Sequence, residues 1–149
     1  RIVSERRLRA SSRLIRGGLP VVSLTAVPLD ALRTRRVYRR HLQRFDFEPY
    51  GICMRRDVLM QRGARPVIYG DEACWECLTS DQRPYFQTAQ TKGHAIINWA
   101  REQEWRVVGD IDLSTFNDDE LIIFVRSPEE AERIECTSAW PVIALYDAD

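Results

Sequence analysis

The sequence predicts an α+β fold, a bent, mostly antiparallel sheet with flanking helices. Three observations carry that expectation. Helical patterns cluster in the first half, and strand-like runs dominate the second. No regular βαβ alternation and no internal repeat is visible, which argues against a doubly wound sheet or a solenoid. A length of 149 residues with 44% hydrophobic content suits one domain with a real core, here residues 1–149, rather than a disordered chain.

Taken in order, Arg1 to Arg16 is expected as a short basic helix with Ile2, Leu8 and Leu14 on its apolar side, ended by Gly17-Gly18. LPVVSLTAV (19–27) reads as a buried strand. Pro28 and Asp30 introduce a helix over LDALRTRRVYRRHLQ, with Leu29, Leu32, Val37 and Tyr38 facing inward and five arginines covering the rest. YGICM (50–54) is a short strand, residues 55–62 a helix, and Gly63 its natural stop. PVIY (66–69) is another strand, followed by a helix over 71–78. The polar segment 79–93 carries no clear pattern, and HAIINW (94–99) leads into a strand near 104. ELIIFV (120–125) is a buried strand. Ser127 caps the helix SPEEAERIE, with Pro128 in its first turn and acids near its N-terminus, and PVIALY (141–146) is the last strand.

No apolar run approaches the roughly 20 residues of a membrane helix, and the N-terminal stretch RIVSERRLRA lacks the apolar core of a secretory signal. No membrane partner is expected. The net charge of zero hides an asymmetry: residues 1–66 carry 16 Arg against 5 acids, and residues 67–149 carry 6 bases against 17 acids. A basic half can meet the phosphates of a nucleic acid or nucleotide, but two halves of opposite sign can equally attract each other within one fold.

Cys53, Cys74, Cys77 and Cys136 include a single CxxC, in DEACWECLTS. Zinc needs two more ligands, and neither His41 nor His94 has paired spacing with a cysteine, so no metal is expected and the CxxC reads as packing. Reduced thiols fit a cytoplasmic protein. No GxGxxG, P-loop, HExxH or GxSxG motif is present, so the familiar phosphate-binding and nucleophile-elbow chemistries lose support.

The stretch REQEWRVVGDIDL (101–113) holds the strongest candidate chemistry. In a strand, alternation places Glu102, Glu104 and Arg106 on one face with Trp105 on the other. Such a row is either a charge ladder or an active-site strand.

Several segments together, RIVSERRLRAS, PVVSLTAVPLDAL, PYGICMRRDVLMQRGARPVIYG and NWAREQEWRVVGDIDL, resemble an uncharacterised bacterial family with YGI…PViY and EREWR elements, associated with phage defence and mobile elements. The resemblance spans nearly the whole chain; Leu24 stands where that family has an aromatic residue. More distantly, the layout resembles the ADP-ribosyltransferases, in particular the toxins that ADP-ribosylate DNA. Those end in strand, helix, strand, as ELIIFV, SPEEAERI and PVIALY do here. That resemblance implies an ADP-ribosyltransferase-like fold, NAD as the substrate cofactor, and a catalytic Glu at Glu104. It also implies an NAD-holding arginine at Arg56 (or Arg55). It further implies a first strand with an NAD-contacting His before Arg1; His41 and His94 do not stand in its place.

On this reading Glu104 faces the oxocarbenium-like state of NAD cleavage and Glu102 orients the acceptor nucleophile. Arg56 grips the pyrophosphate, and Tyr50 or Tyr69 stacks on nicotinamide. The partners would be NAD, a nucleic-acid or protein acceptor and an antitoxin or partner protein; the protein would be a toxin or phage-defence effector. The rival class is a non-catalytic nucleic-acid- or protein-binding module using a basic helix over 33–44. A nuclease using Asp110, Asp112, Asp118, Asp119 and Glu120 ranks third, because that spacing suits an exposed turn better than a metal cage.

Overall fold

The computed structural model describes residues 1–35, 38–39, 44–45, 47–89, 91–92, 95–96 and 103–146. In chain order the elements begin with α1 (Ile2–Glu5), β1 (Arg7–Leu8), β2 (Val21–Thr25), α2 (Leu29–Arg35), β3 (Tyr38–Arg39) and β4 (Arg44–Phe45). Next come β5 (Gly51–Met54), α3 (Arg56–Gln61), β6 (Arg65–Pro66), β7 (Ile68–Gly70), α4 (Glu72–Cys77) and β8 (Phe86–Thr88). The chain continues through β9 (Thr91–Lys92), β10 (Ala95–Ile96), β11 (Glu104–Val108) and β12 (Ile111–Asp112), and ends with β13 (Leu121–Val125), α5 (Pro128–Glu135) and β14 (Val142–Ala144). The architecture is α+β, with short helices and several small sheets in place of one bent sheet. Most strand pairs are antiparallel; β7 with β8 and β13 with β14 are parallel.

The chain forms two compact units. The first comprises residues 1–6, 27–58 and 114–149. Its sheet has the order β14-β13-β5, and β13 runs antiparallel to β5. Strand β13 (LIIFV) is an apolar run, as a strand covered on both faces must be. The chain then turns through Ser127, whose hydroxyl accepts the Glu130 N–H, into α5, and returns parallel as β14. Val27, Leu32, Phe124 and Leu145 form a buried cluster, with Phe47, Cys53 and Tyr146 packed against it. Trp140 is buried and donates its indole N–H to the Phe116 carbonyl at 3.2 Å.

The second unit comprises residues 7–26 and 59–113. Its sheet has the order β2-β11-β6, with both neighbours antiparallel to β11. A pair formed by β7 and β8 carries α4. Asp71 caps that helix by accepting the Cys74 N–H at 3.0 Å. A methyl group at Gly70 would stand 2.6 Å from Cys74 Sγ, so glycine is what lets the strand end meet the helix. Between the cysteines, Trp75 packs against Phe86 (ring centroids 5.3 Å apart), with the Arg16 and Arg83 guanidinium groups 4.4 and 5.0 Å from its ring centre. The packing residue of this segment is Trp75; Cys74 is half-buried and Cys77 exposed.

Three expected elements take another form. The helix over Arg1 to Arg16 is one turn long, because Arg6 enters the left-handed region (φ 49°) and Arg7–Leu8 pair with β12. The physical reason is in the spacing. Ile2, Leu8 and Leu14 stand six apart, which turns a helix by roughly 240° each time and builds no common face. Ser11 also competes locally, its hydroxyl accepting the Arg13 N–H.

The helix over LDALRTRRVYRRHLQ ends at Arg35; Tyr38–Arg39 pair antiparallel with Arg44–Phe45, and residues 36–37 and 40–43 lie outside those described. Aromatic residues in opposed register at Tyr38 and Phe45 favour strand over helix. The continuous basic helix over 33–44 is thereby corrected. PVIY, finally, divides at Val67: β6 joins β11, while β7 joins β8. Among the described residues, no helix is long and apolar enough to cross a membrane.

Candidate functional site

Strand β11 is the centre of its sheet, so its side chains are aimed by hydrogen-bonded neighbours on both sides. Glu104 stands opposite Thr25, and Arg106 stands between Ser23 and Arg65. The strand is entered through Gln103 at φ 43°, a left-handed conformation that costs a non-glycine residue roughly 1–2 kcal/mol. The Gln103 carbonyl is held by the Ala26 N–H at 3.0 Å. The backbone thus turns sharply one residue before Glu104.

Alternation puts Glu104 and Arg106 on one face, and they meet there: Arg106 Nε donates to Glu104 Oε1 at 3.0 Å. Arg106 is no member of a surface ladder. Its side chain is 1% exposed. Removing a guanidinium from water costs several kcal/mol unless its N–H groups find acceptors and its charge a partner. Here Nη1 donates to the carbonyls of Pro84 (3.2 Å) and Phe86 (2.8 Å), and Nη2 donates to Gln87 Oε1 (2.7 Å). Glu104 supplies the opposite charge. All these acceptors except Glu104 come from the 3-10 turn at Arg83–Tyr85 and from β8, within the segment that had no sequence pattern.

Glu104 itself is 20% exposed. Its second oxygen, Oε2, has the Tyr69 hydroxyl as partner at 3.5 Å, a long and weak contact. The carboxylate is therefore held firmly at one oxygen and only by a long contact at the other. Tyr69 reaches it from β7. Trp105, on the opposite face of β11, is half-buried.

Glu102 lies outside the described residues, as do His41 and His94. Arg56 opens α3 and is exposed, and both it and Tyr50 fall in the unit that does not contain Glu104. The Tyr50 hydroxyl donates to Glu130 Oε1 at 3.0 Å, and that bond to a carboxylate pushes its pKa up. Arg55 spends its guanidinium on Asp57, through Nε (3.1 Å) and Nη2 (2.6 Å), with Asp119 at 3.7 Å. Of the predicted set, the structure joins Glu104 with Tyr69.

Among the acids read as a nuclease set, Asp110, Asp119 and Glu120 have partners. Asp110 accepts the Ala10 N–H and faces Arg7, Asp119 faces Arg55, and Glu120 accepts the Asn117 N–H. Among the described residues, no group of three or more His, Cys, Asp or Glu is placed to hold a metal ion. All four cysteines are free thiols, and burial pushes the Cys53 thiol pKa up.

Sequence reasoning missed Arg106 as a buried group and missed Gln87 altogether. A signal existed for the first: a lone arginine inside the run WRVV, on a strand with apolar neighbours, must find a complete set of acceptors if that run is buried. Comparison with protein-family models, curated proteins and solved structures finds no significant match to this chain.

Proposed function

We propose that this chain is an ADP-ribosyltransferase-like domain that cleaves NAD, with Glu104 as the carboxylate that faces the reacting ribose. The observation that carries the reading is the half-committed state of Glu104: Oε1 pinned by buried Arg106, Oε2 held only by a long contact with Tyr69. A carboxylate fixed on a central strand and not consumed by its own ion pair suits electrostatic stabilisation of a developing positive charge. The resemblance of EQEWR to the catalytic segment of the DNA-modifying toxins supports the same residue, and the late order β13, α5, β14 matches the order of those enzymes.

The step is a substitution at the anomeric carbon. The bond from C1′ of the ribose to the nicotinamide nitrogen breaks, and its electron pair leaves with nicotinamide. The ribose passes through an oxocarbenium-like state that a carboxylate stabilises. A lone pair of the acceptor, on DNA, RNA, a protein side chain or water, forms the new bond to C1′, and the acceptor's proton goes to solvent or a base. Tyr69 would fix the position of Oε2 or stack on the nicotinamide ring. A toxin or phage-defence effector is the biological role that fits this chemistry.

The test is release of nicotinamide from labelled NAD, with DNA, RNA and cell extract offered as acceptors. Wild-type protein is expected to release it, and Glu104→Gln to lose roughly a hundredfold or more of that rate with an unchanged fold, since Gln keeps the shape but not the charge. Absence of release by wild type, together with salt-dependent binding to nucleic acid, would overturn this reading in favour of a binding module.

A further inference from the structure

Among the described residues, Arg106 and Glu104 pair differently from Arg16 with Glu72 and from Arg55 with Asp57, and share with Arg1 and Glu5 a contact of Nε with Oε1. Arg16 and Glu72 meet through both guanidinium Nη atoms and both carboxylate oxygens, with Nη1 to Oε2 at 2.8 Å. Arg55 and Asp57 meet through Nε and Nη2, again engaging both oxygens. Two-pronged contact is frequent between arginine and a carboxylate and adds geometric specificity to the pair. Arg106 and Glu104 form a one-pronged contact, Nε to Oε1. The neighbouring atom, Nη2, donates one of its two N–H groups to Gln87 Oε1 at 2.7 Å, the shortest of the four hydrogen bonds that Arg106 makes. The Nε and Nη2 atoms are the same edge that Arg55 offers to both oxygens of Asp57.

We propose that Gln87 is a positioning residue for Glu104: by accepting the Nη2 N–H that lies beside Nε of Arg106 it keeps the second carboxylate oxygen off the guanidinium and turned toward the Tyr69 side, where a ligand can reach it. This deepens the reading given above and rests on it for the identity of the ligand, although not for the geometry.

The guanidinium plane is fixed by the Pro84 and Phe86 carbonyls on Nη1, so its Nε–H and Nη2–H directions are fixed as well. A counter-charge for Arg106 needs only to be near it, and Glu104 would serve that purpose best with both oxygens on the Nε/Nη2 edge. Gln87, a neutral acceptor on β8, bonds Nη2 without adding charge, and in the proposed role it takes the N–H on this edge. Without Gln87 the edge has a vacant donor next to a carboxylate that already touches it, and rotation about the last bond of the glutamate is inexpensive because that torsion is broad. The carboxylate would close onto the arginine and become an ordinary ion pair.

Two variants and two measurements test this. Gln87→Leu removes the acceptor while filling the space, and Gln87→Glu keeps an acceptor at the same reach. Gln87 is only half-buried, so both are expected to fold, with Gln87→Met as a slimmer replacement that also lacks an acceptor. In crystal structures, Gln87→Leu (or Gln87→Met) is expected to show Glu104 Oε2 moved onto Nη2 of Arg106, and Gln87→Glu to keep Oε2 beside Tyr69. In NAD cleavage, Gln87→Leu is expected to lose kcat on the order of a hundredfold with a smaller change in KM, because a misaimed group of about an ångström costs that much, and Gln87→Glu is expected to recover most of the loss. A Glu104 carboxylate that stays in place in the folded leucine and methionine variants overturns the proposal whatever the substrate. So does a wild-type kcat in Gln87→Leu. A carboxylate that moves as expected, in a protein whose wild type releases no nicotinamide, supports the positioning role while removing NAD as the ligand.

Discussion

In the unit that holds β13, the buried cluster of Val27, Leu32, Phe124 and Leu145 is apolar throughout, whereas the unit that holds β11 has Arg106 among its most deeply buried side chains. The two interiors obey different rules. Apolar burial is non-directional, and a cluster of branched and aromatic groups can be repacked with modest loss provided its volume is kept. A buried guanidinium is directional. It is stable only while four acceptors at four separate atoms keep their places. The first interior supplies stability, and the second supplies orientation at a cost in stability. An aimed carboxylate is more readily built on the second.

Removing the buried charge is expected to have the largest effect on stability. Arg106→Leu leaves Glu104 and three neutral acceptors without their donor and is expected to destabilise its unit by about 3–5 kcal/mol. The half-exposed Arg55, placed between Asp57 and Asp119, gives the control: Arg55→Leu is expected to shift the unfolding midpoint only slightly, as an exposed ion pair does. Urea unfolding of both variants measures it. Equal losses would mean that the buried arginine is no more important than the exposed one.

A smaller effect is expected at the apolar interior. A methyl group at Gly51 would stand 2.3 Å from the Phe124 ring, so Gly51→Ala must displace that ring from the cluster. The expected loss is about 1–3 kcal/mol by overpacking, read from the shift of the unfolding midpoint. A Phe124→Leu background that relieves the Gly51→Ala defect would tie the loss to the ring.

The smallest effect is shared by both units and comes from exposed carboxylates. Arg16 holds the Glu72 pKa below its ordinary value, and Arg55 does the same for Asp57. A carboxylate with a folded pKa below its unfolded one contributes stability above the unfolded value, about 4, and loses it as pH falls through the folded value. The urea midpoint is therefore expected to hold from pH 7 to about 5 and to slip below about 4, less so in high salt. A decline on raising the pH above 7 would contradict the sign.

Elements with complete local signals were legible in the sequence. Ser127-Pro128 with following acids gave α5, Asp71 gave α4, and the apolar runs gave β2, β5 and β13. The α+β class followed from their order. The basic N-terminal helix failed because its three apolar residues share no face, and the 33–44 helix failed where cross-strand pairing prevailed over helical spacing. At the site, alternation along β11 correctly joined Glu104 to Arg106. The cradle did not show, because carbonyls of Pro84 and Phe86 carry no side-chain signature and Gln87 lies in a segment without period. Acceptors contributed by backbone are visible only once the chain has folded.

The sheet β14-β13-β5 also sets an order of events during folding. Strands β13 and β14 are joined through one short helix and can meet soon after both exist. Strand β5 leaves the ribosome about seventy residues before its partner β13, and closing that span carries an entropic cost before any pairing returns it. The C-terminal strand–helix–strand is thus the expected nucleus of its unit, with β5 docking late. Until then Gly51–Met54 is a strand waiting for an edge, and a nascent chain stalled before residue 121 would present it to whatever edge is nearby.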